Sequence, residues 1–172
     1  MNIKEKIFAY YRRQQPERQA IFPKYDDVRS ILILFESDIL EQNQTVKSIR
    51  DELLTQDKDV VLWGYCNKKE INTAILPQYR IVGRRDFNLL GAPKEELIKD
   101  LQKRPYDLLI DLSQQRVLAL EYLTMYARAD FKAGLSVHGT GLHDLLISTP
   151  AQDNPHFLYT QIVKYLKMIQ TK

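Results

Sequence analysis

Apolar residues fall along this chain in two rhythms. Consecutive runs at Ile31 to Phe35, Val60 to Trp63 and Leu108 to Ile110 would bury both faces of a strand, as interior strands of a parallel sheet do. Tyr79 to Val82, Phe131 to Leu135 and Leu145 to Ile147 read as three further strands, with another short extended piece at Asp86 to Leu90. The other rhythm is helical. Residues 2–15 place Ile3, Ile7, Tyr10 and Tyr11 at helical spacing, and Pro16 ends the run because it pushes its predecessor out of helical geometry. A second helix is predicted from Gln44 or Thr45, with Thr45 as its cap and Val46, Ile49, Leu53 and Leu54 on one face. Glu70 to Leu76 reads as a short helix closed by Pro77.

Lys94 to Lys103 is helical by its charges as well as its spacing. Glu95 and Glu96 lie in its first turn and Lys103 and Arg104 at its end, which complements the helix dipole. Val117 to Arg128 is apolar nearly all round, the mark of a helix enclosed by other elements. Asn154 caps a last helix that carries Pro155 in its first turn and turns Leu158, Ile162, Tyr165, Leu166 and Ile169 inward. Strands alternating with helices predict an α/β fold: a three-layer Rossmann-like sandwich, its mostly parallel sheet of five to six strands covered by helices on both faces. The expected organisation is a single domain over 1–172, with an amino-terminal amphipathic helix at 1–18, a sheet core at 29–150 and a carboxyl-terminal helix at 154–170.

Composition narrows the classes. No apolar run approaches the roughly 18 residues of a membrane span, and the amino terminus has no continuous signal-peptide core. A single cysteine, Cys66, excludes an internal disulfide framework, so a cytoplasmic protein is expected. The net charge of +3 is local: residues 1–30 hold seven Lys/Arg against four Asp/Glu, and the rest of the chain is balanced. That excess is too small for a nucleic-acid footprint, so nucleic acid is not the expected partner.

With these units in place the chain resembles a known lobe. Ile31-Leu-Ile-Leu34, Ser37-Asp-Ile-Leu40, Tyr106-Asp-Leu-Leu-Ile-Asp111 and Lys132-Ala-Gly134 are similar in kind and order to motifs of the amino-terminal, acceptor-side lobe of heptosyltransferase-type glycosyltransferases. The chain more closely resembles a family of small bacterial proteins of unknown function that retain this lobe alone, through Asp86-Phe-Asn-Leu-Leu-Gly91 and Ala129-Asp-Phe-Lys-Ala-Gly134. The resemblance covers roughly residues 29–150. It implies that Asp38, at the position of the glycosyltransferases' aspartate, would be the base toward an acceptor hydroxyl. Two departures count against that chemistry. Ser37 replaces the glycine before the aspartate, and the lobe that holds a nucleotide-sugar donor has no counterpart here.

In an open parallel sheet, ligands bind at the carboxyl ends of the strands, where the strand order reverses. The residues predicted there are Ser37, Asp38, Asp111, Ser113, Gln114 and His138, together with Glu36 and Thr140. A carboxylate near a hydroxyl and an imidazole can do acid–base work, yet turns and helix caps recruit the same residue types. His138-Gly-Thr-Gly-Leu-His143 lacks a zinc pattern and the context of a dinucleotide fingerprint, and the chain has neither a Gly-x-x-x-x-Gly-Lys-Ser/Thr loop nor a Gly-x-Ser-x-Gly elbow. No metal or cofactor is therefore expected. The favoured reading is a non-catalytic binding or interaction module, with a protein partner, a second copy or a small molecule as its ligand. One alternative is a glycosyltransferase-related protein holding a sugar or nucleotide-like ligand at the strand ends. Another is an RNA or anionic surface bound by the basic first helix.

Overall fold

The consecutive apolar runs do form the interior strands. In a computed structural model the described residues are 1–38, 40–68, 75–76, 79–136, 140–148 and 154–169. The strands are β1 (Ser30–Glu36), β2 (Asp59–Cys66), β3 (Ile75–Leu76), β4 (Tyr79–Gly83), β5 (Tyr106–Asp111), β6 (Ala129–Leu135) and β7 (Leu145–Ile147). The helices are α1 (Ile3–Gln14), α2 (Leu40–Leu54), α3 (Glu95–Leu101), α4 (Leu118–Tyr126) and α5 (Pro155–Met168).

The sheet order is β3-β4-β2-β1-β5-β6-β7, with every neighbouring pair parallel except the two-residue β3, which runs antiparallel to β4. From β1 the chain first builds outward through β2 to β4, then returns to the other side for β5, β6 and β7. The order therefore reverses between β1 and β5, the doubly wound arrangement.

Alternation along the central strands divides the core in two. Ile31, Ile33, Phe35, Leu62, Leu108 and Ile110 face α2 and α5, where they meet Val46, Ile49, Leu158 and Ile162. Leu32, Leu34, Val61, Trp63 and Leu109 face the other way, onto Leu97 and Leu101 of α3 and Leu120 and Leu123 of α4. A sheet buried on both faces in this way is the three-layer sandwich that the unbroken runs predict.

α1 adds a partial fourth layer. Phe8 and Tyr11 meet Tyr122 and Met125 on the side of α4 turned away from the sheet, which is why α4 is apolar all round. The docked residue corrects the predicted face: Phe8 is buried, while Ile3 and Tyr10 are exposed. The Phe8 ring meets Tyr122 edge-on at a centroid distance of 4.9 Å, a contact that rotates the helix away from the Ile3/Tyr10 stripe. Leu54 and Tyr165 are also exposed, against the inward reading.

Other boundaries differ for local reasons. α2 begins at Leu40, before the predicted start, because Glu41 to Gln44 carry no apolar rhythm that would mark its first turn. Of the extended piece predicted at Asp86 to Leu90, Phe87 is extended and bridges Pro93, while Asp86 ends a 3-10 turn and residues 88–91 form a turn. Asn88 Oδ1 accepts from the N–H groups of Leu90 and Ala92, and Gly91 takes a φ of +82° that favours glycine. Of the helix predicted over Glu70 to Leu76, Ile75 and Leu76 are strand, and the remainder lies outside the described residues. No helix among the described residues is long and apolar enough to cross a membrane.

Candidate functional site

The reversal of strand order brings the ends of β1 and β5 side by side. Glu36, Ser37 and Asp38 leave β1, and Asp111, Ser113 and Gln114 leave β5, as predicted. The two groups are joined by one carboxylate. Glu36 is buried, accepts from the Gln114 N–H at 3.2 Å with Oε1, and accepts from Gln115 Nε2 at 2.9 Å with Oε2. Its side chain thus bridges the crevice in which a ligand of such a fold would lie.

Asp38 turns toward β2. Its Oδ1 accepts from the Cys66 thiol at 2.8 Å and from the Asn67 N–H at 2.9 Å, while its carbonyl accepts from Lys68 Nζ. Burial and then the Asp38 carboxylate push the Cys66 thiol up from its ordinary pKa, so the nearby Lys68 does not make it a thiolate nucleophile. Ser37 donates to Asn43 Oδ1 and its carbonyl accepts from Asn43 Nδ2, which ties the exit of β1 to the start of α2.

Asp111 is fully buried at the end of β5. Its Oδ1 accepts from the Ser113 N–H at 3.1 Å and from the Ser113 hydroxyl, closing an Asx turn. Its Oδ2 lies 3.1 Å from Nε2 of His143, and both side chains are only 1% exposed. His143 reaches it because Gly134 of β6 has no Cβ: one built there would stand 2.8 Å from the imidazole ring. Among the described residues the aspartate sits between the serine and the histidine, whereas in a nucleophilic triad the histidine lies between. His138 lies outside the described residues.

A different set of polar groups borders open space. A cavity of about 210 Å3 lies between the end of α1, β6 and residues 141–144, lined by Arg12, Arg18, Lys132, Gly141 and Asp144. A neighbouring one of about 350 Å3 is lined by Glu5, Phe8, Arg12, Arg116 and Thr140. Arg116 is held by Glu121, with Nε to Oε1 at 2.7 Å, and faces Glu5 at 3.5 Å. Lys132 was not among the predicted site residues. Its signal in the sequence was a lysine inside the otherwise apolar run Phe131 to Leu135.

Among the described residues, no three His, Cys, Asp or Glu side chains come together as a metal site. No curated protein and no solved structure matches the chain. A family model does match, over residues 2–169, and the chain belongs to that family, a family of unknown function (DUF6913).

Proposed function

We propose that the chain is a non-catalytic binding or interaction module, built on a Rossmann-like sheet and related to a glycosyltransferase-type acceptor lobe. One observation carries the reading. The three carboxylates at the switch point are engaged by the protein's own donors: Glu36 by Gln114 and Gln115, Asp38 by Cys66 and Asn67, and Asp111 by Ser113 and His143. A general base must be within reach of a substrate proton, and these groups serve turns and strand connections. Open space bordered by Arg12, Arg18 and Lys132 lies one strand further along, beside α1.

The alternative places a sugar or nucleotide-like ligand at Ser37 and Asp38. Both readings meet in one screen, in which nucleotides, nucleotide sugars, sugars and sugar phosphates are tested for thermal stabilisation of wild type and Asp38→Ala. The binding-module reading expects at least one ligand to stabilise both proteins equally, with no turnover of any nucleotide sugar. Stabilisation lost in Asp38→Ala, or measurable transfer or hydrolysis, refutes it in favour of chemistry at the switch point.

A further inference from the structure

Lys132 is an anomaly of burial. It sits in the middle of β6, is 3% exposed, and extends its side chain beneath the last turn of α4. There its ammonium donates to the Thr124 carbonyl, one of the acceptors that the end of a helix leaves without an intrahelical partner. A structural role would end at that bond. An ammonium has three donors, however, and among the described residues Lys132 Nζ finds only this one acceptor. The side chain also lines the cavity of about 210 Å3 at the end of α1.

The other charges at this cavity do not neutralise it. Asp144 is the one carboxylate among the described lining residues; its two oxygens accept from one terminal nitrogen of Arg18, and Oδ2 also from the Lys132 backbone N–H at 2.8 Å. The Arg12 guanidinium has no hydrogen bond or ion pair among the described residues. It lies against the backbone of Gly141, 2.6 Å from where a Cβ would stand. Gly141, with a φ of +69°, therefore makes room for the arginine as well as the turn. The Arg18–Asp144 pair cancels, so among the described lining residues Arg12 and Lys132 remain as cations without a counter-charge. Water would satisfy the spare donors and leave the charge excess in place, whereas an oxyanion would meet both needs.

We infer that this cavity is an oxyanion site that receives the phosphate group of a small phosphorylated ligand, held by Lys132 from below and by Arg12 from the side, with Arg18, engaged by Asp144 and the Ala129 and Asp130 carbonyls, at its edge. The inference names a ligand class for the binding reading above and rests on it. A site of 210 Å3 suits one phosphate group and a small part of what carries it. Arg12 also borders the cavity of about 350 Å3, where Phe8 offers an apolar wall and Thr140 Oγ1 is buried without a hydrogen-bond partner among the described residues. The body of the ligand would lie on that side. Burial, reinforced by Arg18 and opposed by Asp144, brings the Lys132 ammonium down to about 8, the direction expected of a cation awaiting its counter-ion.

The test uses the full chain with three probes: inorganic phosphate, glucose 6-phosphate and glucose. Binding is read by calorimetry and thermal shift, against sodium chloride at matched ionic strength. Both anions are expected to bind and stabilise, glucose is not, and affinity should fall with added salt. Arg12→Gln changes an exposed side chain that pairs with none of the described residues and leaves the fold intact; it should weaken phosphate by about tenfold, the scale of one charge-assisted hydrogen bond. Lys132→Met should abolish binding, and if that variant does not fold, Arg12→Gln decides alone. Preference for glucose 6-phosphate over phosphate identifies an organic phosphate as the ligand, and equal affinity identifies the free anion; either supports the site. No difference between phosphate and chloride, or affinity unchanged in Arg12→Gln, overturns it. Stabilisation by glucose without either anion overturns the oxyanion site and leaves the binding-module reading standing.

Discussion

Gly134 decides whether His143 can reach Asp111. A methyl group at 134 would stand 2.8 Å from the imidazole, in a closely packed part of the sheet. Gly134→Ala should therefore destabilise the protein by about 1–3 kcal/mol through overpacking. His143→Ala removes one partner of a buried carboxylate. Because the two Ser113 bonds remain, its cost belongs at the low end for breaking a buried pair, about 3 kcal/mol. The two substitutions should not add. Once the imidazole is gone the new methyl occupies vacated space, so Gly134→Ala should cost almost nothing in the His143→Ala background. Urea denaturation of the four proteins measures this, and additive losses would mean that the glycine serves something other than the histidine. The cluster also marks what sequence can reveal at this scale. The Asp111–Ser113 turn spans two residues and is written into local composition. The Asp111–His143 contact spans 32 residues and depends on a gap in an intervening strand, so neither histidine could be preferred by spacing alone.

Among the elements, α1 tests how far periodicity carries. Strands β1, β2 and β5 were legible because a run buried on both sides needs no knowledge of its neighbours. The face of α1 was not, since aromatic and aliphatic residues surround much of the helix and only the partner surface selects among them. That surface is α4, where Phe8 meets Tyr122. α1 also carries a complete capping box, with Asn2 Oδ1 accepting from the Glu5 N–H and Glu5 Oε2 from the Asn2 N–H. Two substitutions separate docking from capping. Phe8→Ala should destabilise by about 3 kcal/mol, as for a buried aromatic, and Asn2→Ala by only about 1 kcal/mol, the usual loss of a cap. They also differ in a spectroscopic sign. Burial, then the neighbouring Tyr126 and Tyr11, raise the Tyr122 phenol to about 12. Ultraviolet titration should bring one tyrosine from that range toward 10.0 in Phe8→Ala and leave it in place in Asn2→Ala. A titration unchanged in Phe8→Ala would show that α1 does not shield Tyr122.

For the whole molecule, these groups give stability a shape in pH. On the acid side, Asp100 is lowered by Lys103 and Arg80, and Asp107 is lowered because the Ser30 and Arg29 N–H bonds outweigh its burial. Both contribute stability that is present above their ordinary range and lost as pH falls through their folded values. On the alkaline side Lys132 acts in the opposite sense from a paired lysine. Its folded value is about 8 against 10.5 for an unperturbed lysine, so in that interval the unfolded chain binds more protons than the native one. Stability should then rise with pH, by about 1 kcal/mol per pH unit once the native ammonium has deprotonated. The buried phenols reverse the trend. Tyr122 and Tyr159 are raised above 10.0, so the stability they contribute is lost as pH climbs past that value. A maximum is therefore expected between about 9 and 10 rather than near neutrality. Comparing wild type with Lys132→Met isolates the lysine: the variant should gain on wild type below pH 8, and the difference should shrink as pH rises toward 10. Parallel pH profiles for the two proteins would show that the lysine keeps an ordinary proton affinity in the fold, and that water or an anion already compensates its burial.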